Sequence, residues 1–192
     1  MEDLIRIRRL SWFCARAVLA LGVMLAGGPG AASAAADNPV EAAVKAAYLY
    51  KFGAFVRWPD SAFESPSAAV NVCIAGTDPF GDKLDKAVSG QRIGDRPIVV
   101  RRLKTVDPGS GCQILYVGGP DDKEVAAALS AVRGAAVLTV TDDGRGGAAG
   151  ILQFVIKDNR VRFSIDDQKA AEHGLELSSR LLQLAVSVKP RA

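Results

Sequence analysis

Four short apolar runs do most to limit what this chain can fold into: Val70 to Gly76 (VNVCIAG), Ile98 to Val100, Cys112 to Gly118 (CQILYVG) and Val137 to Thr141 (VLTVT). Each is too short to read as a stable helix, and its apolar residues fall on both faces of an extended chain. Strands of that kind belong in a parallel sheet covered on both sides. Helical stretches separate them, around Pro79 to Val88 and over Lys123 to Val132. Such alternation of strand and helix defines an α/β fold with right-handed crossovers. With 192 residues, 49% hydrophobic and 23% charged, the chain can fill one such core. That composition excludes a disordered or collagen-like chain.

The period changes after residue 150. Leu152, Phe154 and Ile156 alternate with Gln153, Val155 and Lys157, and Val161, Phe163 and Ile165 alternate with Arg162 and Ser164. Asp158-Asn159 tolerates the positive φ angles of a two-residue turn, so the stretch reads as an antiparallel hairpin. Its register sets Ile156 opposite Val161, Phe154 opposite Phe163 and Leu152 opposite Ile165. Before the sheet, a helix starts at the Asn38 cap, with Pro39 and Glu41 behind it. It is expected to stop near Trp58, because Pro59 disfavours helical geometry in the residue before it. Val40, Val44, Ala47, Tyr48, Phe52, Phe55 and Val56 recur along it at helical spacing, and Leu49 and Tyr50 widen the stripe beyond one face. The excess points into the core or toward an oligomer interface. Asp166 caps a short helix ending at His173-Gly174, and a closing helix is expected over Leu177 to Val188.

The N-terminus reads as an address for export. Arg6, Arg8, Arg9 and Arg16 precede a short apolar stretch, Ala17 to Ala26, and small-residue cleavage sites follow Ala34 and Ala36. The apolar stretch is about ten residues, against the roughly 18–20 that span a bilayer. Residues 1–36 are therefore expected to be a cleaved signal peptide and residues 37–192 a single exported domain without membrane insertion. Cys14 precedes the apolar stretch, which argues against a lipoprotein anchor. Cys73 and Cys112 remain in the exported part, and an even pair in an oxidising compartment suggests a disulfide. Two buried thiols are the alternative. Without the signal the net charge falls from +3 to +1, which excludes a nucleic-acid binder working through a basic surface.

The inventory of reactive groups is poor. The single histidine, His173, excludes most zinc sites and reads as a partly exposed group at the negative end of a helix. Gly144, Gly146, Gly147 and Gly150 lead into a strand, not a helix, so they read as a flexible connection and not a phosphate loop. Gly76 to Gly81 does follow a strand and enter a helix, which makes it the candidate small-molecule pocket. It lacks a Walker lysine, and Asp78 would repel a phosphate. No catalytic residue, metal site or cofactor is expected. A small-molecule-binding module and a secreted enzyme using His173 are the competing classes.

Lys45-Ala46-Ala47-Tyr48-Leu49-Tyr50-Lys51-Phe52, running into Phe55-Val56-Arg57-Trp58-Pro59, resembles the opening motif of the YfiR-like periplasmic proteins. Val72-Cys73-Ile74, Cys112 to Val117, Val161 to Ile165 and Leu177-Ser178-Ser179-Arg180-Leu181-Leu182 are similar in order and spacing. The resemblance implies a Rossmann-like α/β fold: a mostly parallel sheet flanked by helices, with the C-terminal hairpin and a closing helix. It implies a disulfide between Cys73 and Cys112 and a homodimer. By the same resemblance the protein represses an inner-membrane diguanylate cyclase by binding its periplasmic region, and an OmpA-like outer-membrane lipoprotein sequesters it. Relatives carry a second cysteine pair near the stretch held here by Gly144 to Leu152. This chain has none there, so a redox switch through a second bond is not expected. The partner-binding residues expected on the first and last helices are Tyr48, Phe52, Trp58, Arg180 and Leu181.

Overall fold

The computed structural model describes residues 38–143 and 148–191. The segment read as a signal, residues 1–36, and the glycines at 144, 146 and 147 lie outside the described residues. Asn38 starts helix α1 (Pro39–Lys51) by accepting hydrogen bonds from the Val40 and Glu41 amides. Pro39 sits at the first position, where its missing N–H removes no bond. The helix ends at Lys51, short of the expected Trp58, and Phe52–Phe55 tighten into a 3₁₀ turn. Gly53 lies so close to the sheet that a β-carbon there would stand 2.4 Å from Ile93 Cδ1. Val56 and Arg57 then extend as strand β1 (Val56–Arg57), drawn out of the helix by pairing with residues 176 and 177.

Strand β2 (Val70–Gly76) leads to α2 (Asp82–Val88), then to β3 (Arg92–Ile93) and β4 (Arg96–Leu103). The β3–β4 hairpin escaped sequence reading because its flanks are arginine-rich and carry little apolar alternation. Strand β5 (Ile114–Gly118), helix α3 (Asp122–Ala131) and strand β6 (Leu138–Asp142) follow. The chain continues through β7 (Leu152–Lys157) and β8 (Arg160–Asp166). It closes with α4 (Asp167–Glu172), β9 (Glu176–Leu177), α5 (Ser179–Leu184) and β10 (Ser187–Lys189). Eight strands form one sheet in the order β10-β8-β7-β6-β5-β2-β4-β3, parallel except at β7–β8 and β3–β4. A separate two-stranded antiparallel sheet joins β1 to β9. The fold is thus the mixed α/β architecture expected, with the curled sheet flanked by helices.

The β7–β8 register is the one the alternation requires: Ile156 faces Val161, Phe154 faces Phe163 and Leu152 faces Ile165. Asp158 and Asn159 turn the chain with φ of 51° and 55°. The closing helix is shorter than expected. Ser178 caps α5, but Ala185 is already extended and the Val186 N–H donates to the Phe163 carbonyl at 2.9 Å. Residues 187–189 then pair with β8 in parallel. A continued helix would have left that strand's outer backbone groups unpaired, and the tail satisfies them.

Side chains alternate between two cores. Val72 and Ile74 of β2, Ile114 and Tyr116 of β5, and Leu138 and Val140 of β6 join Leu49, Phe52, Phe80 and Leu84 on one face. Cys73, Ala75, Leu115 and Val117 point to the other face, against Val125 and Val132. There Cys73 and Cys112 form a disulfide, with α-carbons 5.8 Å apart at a sequence separation of 39. Replacing both cysteines with alanine is expected to cost about 2–4 kcal/mol, chiefly by freeing the unfolded chain. Urea unfolding of the double variant beside the oxidised wild type measures this.

Candidate functional site

Strand order reverses between β2 and β5, since the chain leaves β2 toward β4 and returns to β5 on the other side. In open α/β sheets ligands favour the carboxyl edge at such a point. The two chains leaving this edge nearly touch: the Thr77 N–H donates to the Gly118 carbonyl at 3.0 Å. A β-carbon on Gly76 would lie 2.0 Å from the Gly118 oxygen, and one on Gly118 would lie 2.2 Å from the Thr77 oxygen. Glycine at both positions is therefore a packing requirement. Beyond them opens a cleft of about 160 Å³, lined by Thr77, Pro79, Tyr116, Gly119, Thr141 and Asp142 among others.

The cleft meets the expected Gly76 to Gly81 pocket only through Thr77 and Pro79. Asp78 holds the turn instead. Its Oδ1 accepts from the Phe80 and Gly81 amides at 2.8 and 3.2 Å, and its Oδ2 accepts from Arg102 Nε at 2.8 Å. Arg102 also reaches Asp85 at 2.6 Å and the Gly81 carbonyl at 2.7 Å, which makes the turn a cross-braced corner. Helix α2 starts only after it, at Asp82 and not Pro79.

Inside the cleft, Tyr116 donates its hydroxyl to Asp142 Oδ2 at 2.6 Å, and Lys45 Nζ stands 2.8 Å from Asp142 Oδ1. Lys45 also pairs with Glu41 at 2.7 Å. Burial works against the Lys45 charge, but the bonds to Asp142 and Glu41 outweigh it and hold its pKa above the ordinary value. Asp142, the one carboxylate among the described lining residues, is thus matched from within the protein.

His173 corrects its expected placement. The ring is buried, and Nδ1 lies 2.8 Å from the Ala135 carbonyl oxygen, because the end of α4 packs onto the connection before β6. Burial pushes the imidazole pKa below its ordinary value, against the opposing pull of that backbone bond. A buried ring that resists protonation thus stands where a partly exposed group at the helix end was expected. Gly174 does take the left-handed conformation expected, with φ of 68°. Gly150 is likewise more than a flexible connection: its N–H donates to Thr141 Oγ1 at 3.1 Å, and a β-carbon would press on the Thr139 oxygen at 2.7 Å. Among the described residues, no cluster of three or more His, Cys, Asp or Glu could hold a metal ion.

The five expected partner-binding residues divide. Phe52 and Leu181 are 2% and 1% exposed and belong to the main core, so they cannot present a surface. Phe52 packs edge-on to Phe163 at 5.0 Å and is tilted against Phe154 at 5.7 Å. Tyr48 is half-buried, stacked on Phe52 at 5.9 Å. Trp58 is half-buried against the same core, edge-on to Phe63 at 6.2 Å, with Arg96 3.6 Å over the Phe63 ring. Arg180 is exposed on α5. What sequence reading missed is the outer side of α1, where Pro39, Val40, Ala43, Val44 and Ala47 form a continuous apolar surface. Its signal was the apolar stripe wider than one core face needs.

These residues gather into a pinned scaffold with an apolar helix face, the build of a binding domain. The chain belongs to the YfiR/HmsC-like family, whose model matches residues 42–186. That is a regulatory, non-catalytic family of periplasmic proteins that act in diguanylate cyclase signalling. Among the described residues, no helix is long and apolar enough to cross a membrane.

Two measurements test this site. Lys45→Ala leaves the Asp142 carboxylate without its cation and is expected to cost about 1–3 kcal/mol in urea unfolding. For His173, the folded pKa lies below the ordinary value of about 6.5, so the unfolded chain takes up the proton first as pH falls. The stability this neutral ring supports is whole above about pH 6.5 and drains away below it. Between about pH 7.5 and 5, the wild type is expected to lose more stability than His173→Asn, measured by urea midpoints.

Proposed function

We propose that this chain, exported after removal of residues 1–36, is a periplasmic negative regulator of an inner-membrane diguanylate cyclase. It binds the periplasmic sensor region of the cyclase and holds the cytoplasmic output down, so that cyclic di-GMP and biofilm formation fall. Family membership over residues 42–186 carries this reading. The disulfide, which suits an oxidising compartment, and the apolar outer face of α1 support it. Tyr48, Trp58 and Arg180 are the accessible members of the expected contact set. Release by an OmpA-like outer-membrane lipoprotein and a homodimeric state belong to the same proposal.

Repression of this kind is differential binding. The regulator must prefer the inactive conformation of the cyclase, and swinging a population from 99:1 to 1:99 takes a preference of about 5.5 kcal/mol. A protein that gripped both conformations equally would repress nothing, however tightly it bound.

Deleting the gene is expected to raise cellular cyclic di-GMP several-fold and to increase surface attachment. Complementation with the full chain restores the basal level, and complementation with a chain lacking residues 1–36 does not. Cyclic di-GMP unchanged on deletion, measured by mass spectrometry, overturns the proposal.

A further inference from the structure

Helix α1 and the β7–β8 hairpin leave a groove of about 540 Å³ open between them. Val40, Val44 and Tyr48 line it from the helix, and Ile156, Arg160 and Arg162 from the hairpin. Val40 is 70% exposed, Ile156 52% and Val44 37%, so the groove keeps apolar side chains in water that the core does not use. Folding draws no stability from that exposure, and a contiguous apolar recess of this kind marks an interaction site.

The charges around the groove say what fits it. Arg160 and Arg162 form no ion pair with another described residue, and Lys51 stands at the end of the same apolar helix face. The one carboxylate lining the groove, Glu41, is held by Lys45 at 2.7 Å. A second copy docked groove to groove would set these same arginines against each other, and unmatched like charges oppose docking.

We infer that this groove is the docking site for an acidic amphipathic segment in the periplasmic region of the repressed cyclase. Apolar side chains of that segment pack on Val40, Val44 and Ile156, and its carboxylates reach Arg160 and Arg162. The inference rests on the repressor reading above and adds to it the face and the chemistry of the partner.

The test immobilises the periplasmic domain of the cyclase whose output rises on deletion and measures binding of the full exported chain. Val44→Asp and the pair Arg160→Glu/Arg162→Glu are each expected to weaken binding by about tenfold or more, and wild-type affinity is expected to fall with added salt. All three substituted positions border solvent in the groove, and an unchanged thermal midpoint for each variant confirms that it is folded. Wild-type binding that both variants retain in full overturns the groove assignment and leaves the repressor reading standing. No binding by the wild type to that domain overturns the groove assignment, whereas cyclic di-GMP unchanged on deletion overturns the repressor reading before any cyclase can be chosen. Binding to phosphatidylglycerol vesicles that both variants lose, with cyclase binding intact, overturns the assignment in favour of a membrane surface. A wild-type dimer that Val44→Asp turns into a monomer, in sedimentation and with cyclase binding intact, overturns it in favour of self-association.

Discussion

Burial of both sides of β2, β5 and β6 is the constraint on which the rest of the molecule depends. A parallel strand cannot turn one face to water as an antiparallel one can, so each of these strands needs apolar residues at successive positions and a layer on either side. Val72 and Ile74 look toward α1 and α2, while Cys73 and Ala75 look toward α3. The disulfide lies within the second, thinner core, where it closes a long stretch of chain between adjacent strands. Every other element is arranged to cover these strands or to finish their edges.

Edge management explains the two departures from expected helices. Val56 and Arg57 leave the helical path to pair with Leu177 and Glu176, and Ser187 to Lys189 leave it to pair with β8. In both places a local helical pattern loses to backbone groups elsewhere that need partners. Local propensity is worth only tenths of a kcal/mol per residue, little enough for strand pairing to override it. Backbone pairing therefore wins at both edges.

The polar groups show a division of labour. At the carboxyl edge of the sheet, Asp78 and Asp142 are both engaged by the protein's own cations and donors, so that region is braced inwardly. Two cations without an ion pair among the described residues, Arg160 and Arg162, stand at the hairpin beside apolar residues that folding leaves exposed. A regulator acting by preference for one conformation of its partner needs a rigid platform and a surface left open for that partner. The internally neutralised cleft is such a platform, and the α1–hairpin groove is the surface proposed above for the partner.

Patterns of short range were legible in the chain itself. The hairpin register, its Asp158-Asn159 turn, the Asn38 cap and the doubly buried strands follow from alternation and turn chemistry, which act between residues close in sequence. The candidate site was legible only in outline: the apolar excess of α1 marked a surface, but not which of its residues would face out. Phe52 and Val44 carry the same apolar signal on one helical stripe, yet Phe52 closes against Phe163 while Val44 stays in water. Likewise His173 gives no local sign that Ala135 will bury it. Sequence alone determined which elements form and which residues prefer the interior. Only the tertiary structure decided where each surface ends, because exposure depends on neighbours that arrive from distant parts of the chain.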